Sequence, residues 1–155
     1  MIFAIAGTQL PFPRLMNALD EMAVRVGRQI TAQTADPDFH PKTIRAVEFL
    51  RGPDFEAEME RSRLIIAHAG IGAIMAAANL SKPIIIMPRR ADLGEHRNDH
   101  QIATARRFAG SPGITVVETA EELEQAIRIS NYQPVSVGSS ERLSSLIGAV
   151  SRAIG

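Results

Sequence analysis

The chain has 155 residues, with 17 basic and 17 acidic side chains and a formal net charge of zero. At 45% hydrophobic and 22% charged residues it has the make-up of one globular domain rather than of a disordered segment. The lack of a basic excess argues against a general nucleic-acid binder, and the absence of cysteine excludes disulfides, thiol catalysis and cysteine-ligated metal centres.

The first element is the apolar run Ile2–Ala6, which has the continuous texture of a buried parallel strand and no basic segment before it of the kind an export signal carries. Pro11 and Pro13 frame the entry to a helix with Leu15, Met16, Leu19, Met22, Ala23 and Val26 on one face, and Gly27 fits its C-cap. Arg28–Gln33 reads as a second strand, Ala46–Leu50 as a third and Asp54–Glu60 as a short helix. The uncharged stretch Leu64–Ser81 approaches the roughly 20 residues of a membrane span. His68, Gly70, Gly72 and Asn79 interrupt it, and it reads better as a strand over Leu64–Ala67 running into a helix over Gly72–Leu80.

Ile84–Met87, sealed by Pro83 and Pro88, is the most aliphatic strand, and a charged loop leads from it to a helix over Asp99–Phe108. Ile114–Val117 is the last strand. Thr119 and Glu122 form a capping box that opens a helix to about Ile129. Ser130–Ser140 reads as a linker and Glu141–Ile154 as a final helix. Alternating strands and helices of this kind predict an α/β fold: an open, parallel, Rossmann-like sheet that binds ligands at the carboxyl ends of its strands.

Three loops at those ends carry the chemistry. Gly7-Thr8-Gln9 is either an ordinary strand-to-helix turn or a close approach to an anion with side-chain donors beside it. His68-Ala69-Gly70-Ile71-Gly72 turns into a helix start, where unpaired N–H groups suit a diphosphate. His68 is a phosphate donor or a hydrogen-bonded residue at a strand end. Met75 breaks the dinucleotide fingerprint and no P-loop occurs, so a coenzyme-dependent oxidoreductase loses its usual support.

The third loop, Pro88–Gln101, holds Arg89, Arg90, Glu95, His96, Arg97, Asn98, Asp99 and His100. Arginine forks suit phosphate oxygens, and Asn or Gln suits sugar hydroxyls; Asn98 with Gln101 also reads as a variant capping box. His96 and His100 are four residues apart, but the helix is expected to start only near Asp99, so no metal site is assigned to them.

Taken together, Met1–Leu15, Leu64–Pro83 and Ile84–Ala105 resemble the C-terminal domain of family 28 glycosyltransferases. The string Met87–Gln101 resembles the PssE-type exopolysaccharide subunits in particular, beside the catalytic subunit of the split eukaryotic enzyme that adds the second N-acetylglucosamine to a dolichol-linked sugar. The resemblance implies the donor-binding half of a GT-B enzyme over residues 1–130, followed by a linker and helix over 131–155. It implies diphosphate contacts from Gly7, Thr8, Gln9, His68, Gly70 and Gly72, with Arg89 and Arg90 beside them. His100 and Gln101 fall on paired positions that contact the transferred sugar in related transferases, and Glu95, His96 and Asn98 are grouped with them.

It implies further a metal-independent, inverting transfer, without a cofactor, from a UDP-sugar to a lipid-linked saccharide, with the general base on a PssD-like membrane-anchored partner. The chain itself would be cytoplasmic, recruited by that partner to the inner face of the plasma membrane. The alternative is a non-catalytic enhancer of a partner transferase. One departure bears on both: Ala76 stands where many relatives carry a ribose-binding glutamate, and Asn79 is the nearest polar substitute.

Overall fold

A computed structural model gives the fold and describes residues 1–129 and 133–135. In chain order it comprises β1 (Ile2–Ile5), α1 (Pro13–Val26), β2 (Ile30–Gln33), β3 (Arg45–Val47), α2 (Gly52–Arg61), β4 (Leu64–His68), α3 (Ile71–Asn79), β5 (Ile84–Met87), a single 3-10 turn (Ala91–Leu93), α4 (His100–Phe108), β6 (Ile114–Val116) and α5 (Ala120–Arg128). The strands form one parallel sheet in the order β3-β2-β1-β4-β5-β6. The order reverses between β1 and β4, and this places the open switch point at the loops that follow those two strands.

Alternation along each strand fills two cores. Ile2, Ala4, Ile66, Ile85 and Met87 face α1 and α5, whose Leu15, Leu19, Met22, Leu123 and Ile127 close that side. Phe3, Ile5, Ile65, Ala67, Ile84 and Ile86 face α2, α3 and α4, through Met59, Ile74, Ala77, Ala105 and Phe108. Burial on both faces explains why the strands read as unbroken apolar runs. Among the described residues no helix is long and apolar enough to cross a membrane.

Helix ends follow the sequence signals closely. Gly27 caps α1 in the left-handed region at φ 65°. The Thr119 hydroxyl accepts the Glu122 N–H, while the Glu122 carboxylate reaches back to the N–H of Glu118, one residue earlier than a standard box. The third strand differs from expectation. It covers Arg45–Val47 rather than Ala46–Leu50, because the Leu50 N–H is taken by the Gln33 side chain at 2.9 Å instead of a strand partner. The expected helix over Glu141–Ile154, and the linker before it apart from residues 133–135, lie outside the described residues. Residues 133–135 press against the turn that leads into β6: a Cβ on Gly113 would stand 2.4 Å from the Pro134 carbonyl, and Val135 is buried in the second core.

Asp20 fixes the approach to β3. Its carboxylate accepts the N–H groups of Lys42, Thr43 and Ile44 and the Thr43 hydroxyl, at 2.7 to 3.2 Å. Partial desolvation works to raise the Asp20 pKa, but these donors outweigh it and hold the carboxyl below its ordinary 3.8. Asp20→Ala should lower stability by about 1–2 kcal/mol at pH 7, as charge-assisted bonds of this kind are worth. A carboxyl with a depressed folded-state pKa stabilises above its ordinary value and loses that effect as the pH falls. The gap between the two proteins in urea denaturation should therefore close below about pH 4.

Candidate functional site

At the switch point the chain opens into a cleft of about 350 Å³. Gly7, Thr8, Gln9 and Leu10 from the loop after β1 form one wall, and His68, Gly70, Gly72 and Ala73 from the turn into α3 form the other. Arg89, His96 and Gln101 close the floor and side, while Ile5, Gln33 and Phe55 line the inner end. Among the described residues no Asp or Glu lines this space.

His68 is the central side chain. Its imidazole lies between two glycines, and a side chain at either position would press on the ring. A Cβ on Gly70 would stand 2.6 Å from Cε1 and 2.7 Å from Nε2 of the ring, and one on Gly7 would stand 3.1 Å from both. Gly7 also has φ +106°, which strains any other residue. The spacing of these glycines therefore reflects room for a ring as much as room for a ligand. Burial pushes the His68 pKa from 6.5 down to about 4, with the nearby charges of Arg89 and His96 adding to it and the Gln101 bond opposing. His68 is thus neutral at physiological pH.

Gln101, in the first turn of α4, is buried and ties two strand ends together. Its Oε1 accepts the N–H of Ala69, after β4, and the N–H of Arg89, after β5, each at 3.1 Å. Its Nε2 lies 2.9 Å from His68 Nδ1.

The long loop after β5 is organised around Arg89, which is only 2% exposed. One terminal nitrogen donates to the Pro11 carbonyl at 2.7 Å and the Glu95 carbonyl at 3.3 Å. The other donates to the carbonyls of Leu10, at 2.6 Å, and Ala6. The guanidinium also lies over the Phe12 ring, 4.6 Å from its centroid. Burial lowers its pKa to about 10, with Glu95 opposing, so it stays cationic. Arg14 binds both carboxylate oxygens of Glu95 at 2.9 Å and donates to the carbonyls of Pro88 and Glu118.

The structure places the residues expected of this loop in different settings. Arg89 lines the cleft, but all the N–H groups on its terminal nitrogens are engaged by backbone carbonyls, so it offers no free fork to a phosphate. Arg90 pairs with Asp92 and stands outside the cleft. Glu95 faces Arg14 and the Arg90 N–H and does not line the cleft. The Asn98 side chain, one residue before the Asp99 N-cap of α4, accepts the His100 N–H, and neither Asn98 nor His100 lines the cleft. His96 lines it, although its Nδ1 is buried without a partner. Asn79 ends α3 at the far side from the cleft and cannot replace a carboxylate at Ala76.

Phe55, Gln33, Phe12 and Arg14 escaped the sequence reading. A glutamine ending an apolar strand was a visible signal for Gln33, but nothing local marks Arg14, whose partner lies 81 residues away.

The sequence matches the glycosyltransferase family 28 C-terminal domain over residues 13–135. No curated protein sequence matches it. Many solved structures share the fold, three of them as follows. The NMR solution structure of ALG13 superimposes with a TM-score of 0.66 at 18% identity, over 94% of this chain and 93% of that one. SsfS6, a glycosyltransferase from Streptomyces sp. SF2575 complexed with thymidine diphosphate, gives 0.60 at 17% identity, over 97% of this chain and 36% of that one. The glycosyltransferase of kitacinnamycin gives 0.59 at 17% identity, over 97% of this chain, which spans only 39% of its length. The six-stranded parallel sheet is that of the C-terminal half of a GT-B glycosyltransferase. With a family match over most of its length, the chain belongs to the glycosyltransferase family 28 C-terminal domain family.

Proposed function

We propose that this chain is the donor-binding subunit of a two-component glycosyltransferase that moves a hexose from a UDP-sugar to a lipid-diphosphate-linked saccharide in polysaccharide biosynthesis. The observation that carries this reading is the cleft itself, where His68, the start of α3 and the Gly7–Gln9 loop meet in a space without a carboxylate lining it. The first N–H groups of α3, on Ile71, Gly72 and Ala73, have no partner within the helix and face the same end as the cleft. Thymidine diphosphate in SsfS6 supports a nucleoside diphosphate on this fold. The PssE-like string Met87–Gln101 supports a PssD-like membrane-anchored partner that supplies the acceptor half and holds the complex at the inner face of the plasma membrane.

In the reaction the bond from the anomeric carbon to the diphosphate breaks as a bond from that carbon to the acceptor oxygen forms, with inversion. The acceptor proton passes to a base on the partner, and UDP leaves carrying the released negative charge. Donors at Gly72, Ala73 and His68, above the buried cation of Arg89, meet that charge as it grows, without a metal ion. Thr8 and Gln9 flank the diphosphate, and His96 stands toward the sugar. A second reading, a non-catalytic enhancer of a partner transferase, is favoured by Ala76, which cannot accept the ribose hydroxyls.

Calorimetric titration of the full chain with UDP separates the readings: saturable binding supports the first, and its absence the second. Reconstitution with the partner, a lipid-linked acceptor and a panel of UDP-sugars then reads transfer directly. Gly72 has nothing within 4 Å of where a Cβ would stand, so Gly72→Val should leave stability within about 0.5 kcal/mol. It should weaken UDP by about tenfold or more, one hydrogen bond's worth, by obstructing the approach to α3. Gly70→Ala should lower both the melting temperature and UDP affinity, because its methyl group displaces the His68 ring.

A further inference from the structure

We infer that Gln101 is a positioning residue, whose amide holds His68 in the tautomer that presents Nε2–H to the donor diphosphate, rather than a residue that grips the transferred sugar. This rests on the function proposed above only for the identity of the ligand; the geometry belongs to the chain alone.

The amide can be oriented in one way. Two backbone donors, the N–H of Ala69 and the N–H of Arg89, converge on a single atom of the Gln101 side chain, each at 3.1 Å. An amide nitrogen accepts no hydrogen bond, so that atom is the oxygen. The nitrogen therefore faces His68 Nδ1 at 2.9 Å as a donor, and Nδ1 must offer its lone pair. A neutral ring with a free Nδ1 carries its proton on Nε2. A cationic ring would set two donors against each other at Nδ1, and its burial beside Arg89 and His96 disfavours it further.

Nε2 is the atom that remains for a ligand. It has no hydrogen-bond partner among the described residues, yet it is not among the buried polar atoms left unpaired, so it is open to the cleft that the ring lines. The amide of Gln101, by contrast, has its oxygen engaged twice and its nitrogen once, which leaves a sugar at most one N–H. The tautomer links two strand ends and a helix: β4 supplies the ring, the loop after β5 supplies the Arg89 N–H, and α4 supplies the amide that joins them.

Two measurements test this. In the ligand-free full chain at pH 7, nitrogen NMR of the histidine side chains should show His68 with protonated Nε2 and bare Nδ1. A bare Nε2, or a mixture of the two forms, overturns the inference whatever the ligand proves to be. The second uses Gln101→Glu, whose carboxylate still accepts the two backbone N–H groups but demands a proton from Nδ1. At pH 8 this variant should show Nδ1–H and bind UDP at least about tenfold more weakly than the unsubstituted chain, with UDP-sugars weakened in parallel.

Near pH 5.5, where the new carboxylate favours an imidazolium with both nitrogens protonated, the ratio of the two affinities should return to within about threefold. Taking the ratio at each pH cancels the titration of UDP itself. A loss that is the same at both pH values, or one confined to UDP-sugars, overturns the inference. If the variant does not fold, the ligand-free spectrum still decides. If the unsubstituted chain binds no UDP, the functional reading fails while the spectrum still tests the tautomer.

Discussion

A cation without a carboxylate of its own lies beneath the cleft, and the loops around it are arranged about that charge. Burying a guanidinium is costly unless its donors are met. Here the carbonyls of Ala6, Leu10, Pro11 and Glu95 meet those of Arg89, and the Phe12 ring covers its face. Those carbonyls come from the loop after β1 and from the loop that Arg89 itself begins, so two neighbouring strand ends are held as one body. The Arg89 backbone N–H then reaches Gln101, and Gln101 reaches Ala69 and His68. Three loops thus share one hydrogen-bonded chain, most of whose links join residues more than 30 positions apart in sequence.

Using carbonyls in place of an acid has an electrostatic result. Glu95 is already held at both oxygens by Arg14, so the two arginines and one glutamate leave an excess positive charge under the cleft. The low dielectric of the interior makes such a charge felt over the width of the site. It favours an anion in the space above and disfavours a second cation at His68, in keeping with the low pKa of that ring. Positive potential and neutral hydrogen-bond donors are thereby kept on separate residues.

The sheet was legible because burial on both faces writes itself into sequence as short aliphatic runs, and Ile84–Met87 is the plainest case. The helices were legible from their period and their caps, down to Gly27 and Thr119. The edge strand β3 was placed a few residues late because its end is set by the Gln33 side chain, which no local pattern reveals. The charged loop is the hardest part to read. Arg89, Glu95 and Asn98 have the chemistry of phosphate and sugar binding, but each is occupied by the protein itself. Which of two equally polar roles a residue takes depends on partners such as Arg14, far off in sequence and visible only after folding.

Gly113 lies at the opposite pole of the molecule, just ahead of β6, and it has room for no side chain because the Pro134 backbone rests against it. That contact wedges Val135 into the same apolar layer that supports α3 and α4. The next strand over, β5, spans four residues, about 13 Å at the usual rise, and ends where Pro88 and Arg89 begin. The Gly113 carbonyl accepts the Ile84 N–H that opens β5, so one strand is anchored beside the Pro134 backbone at its start and runs out at its end into the arginine beneath the cleft.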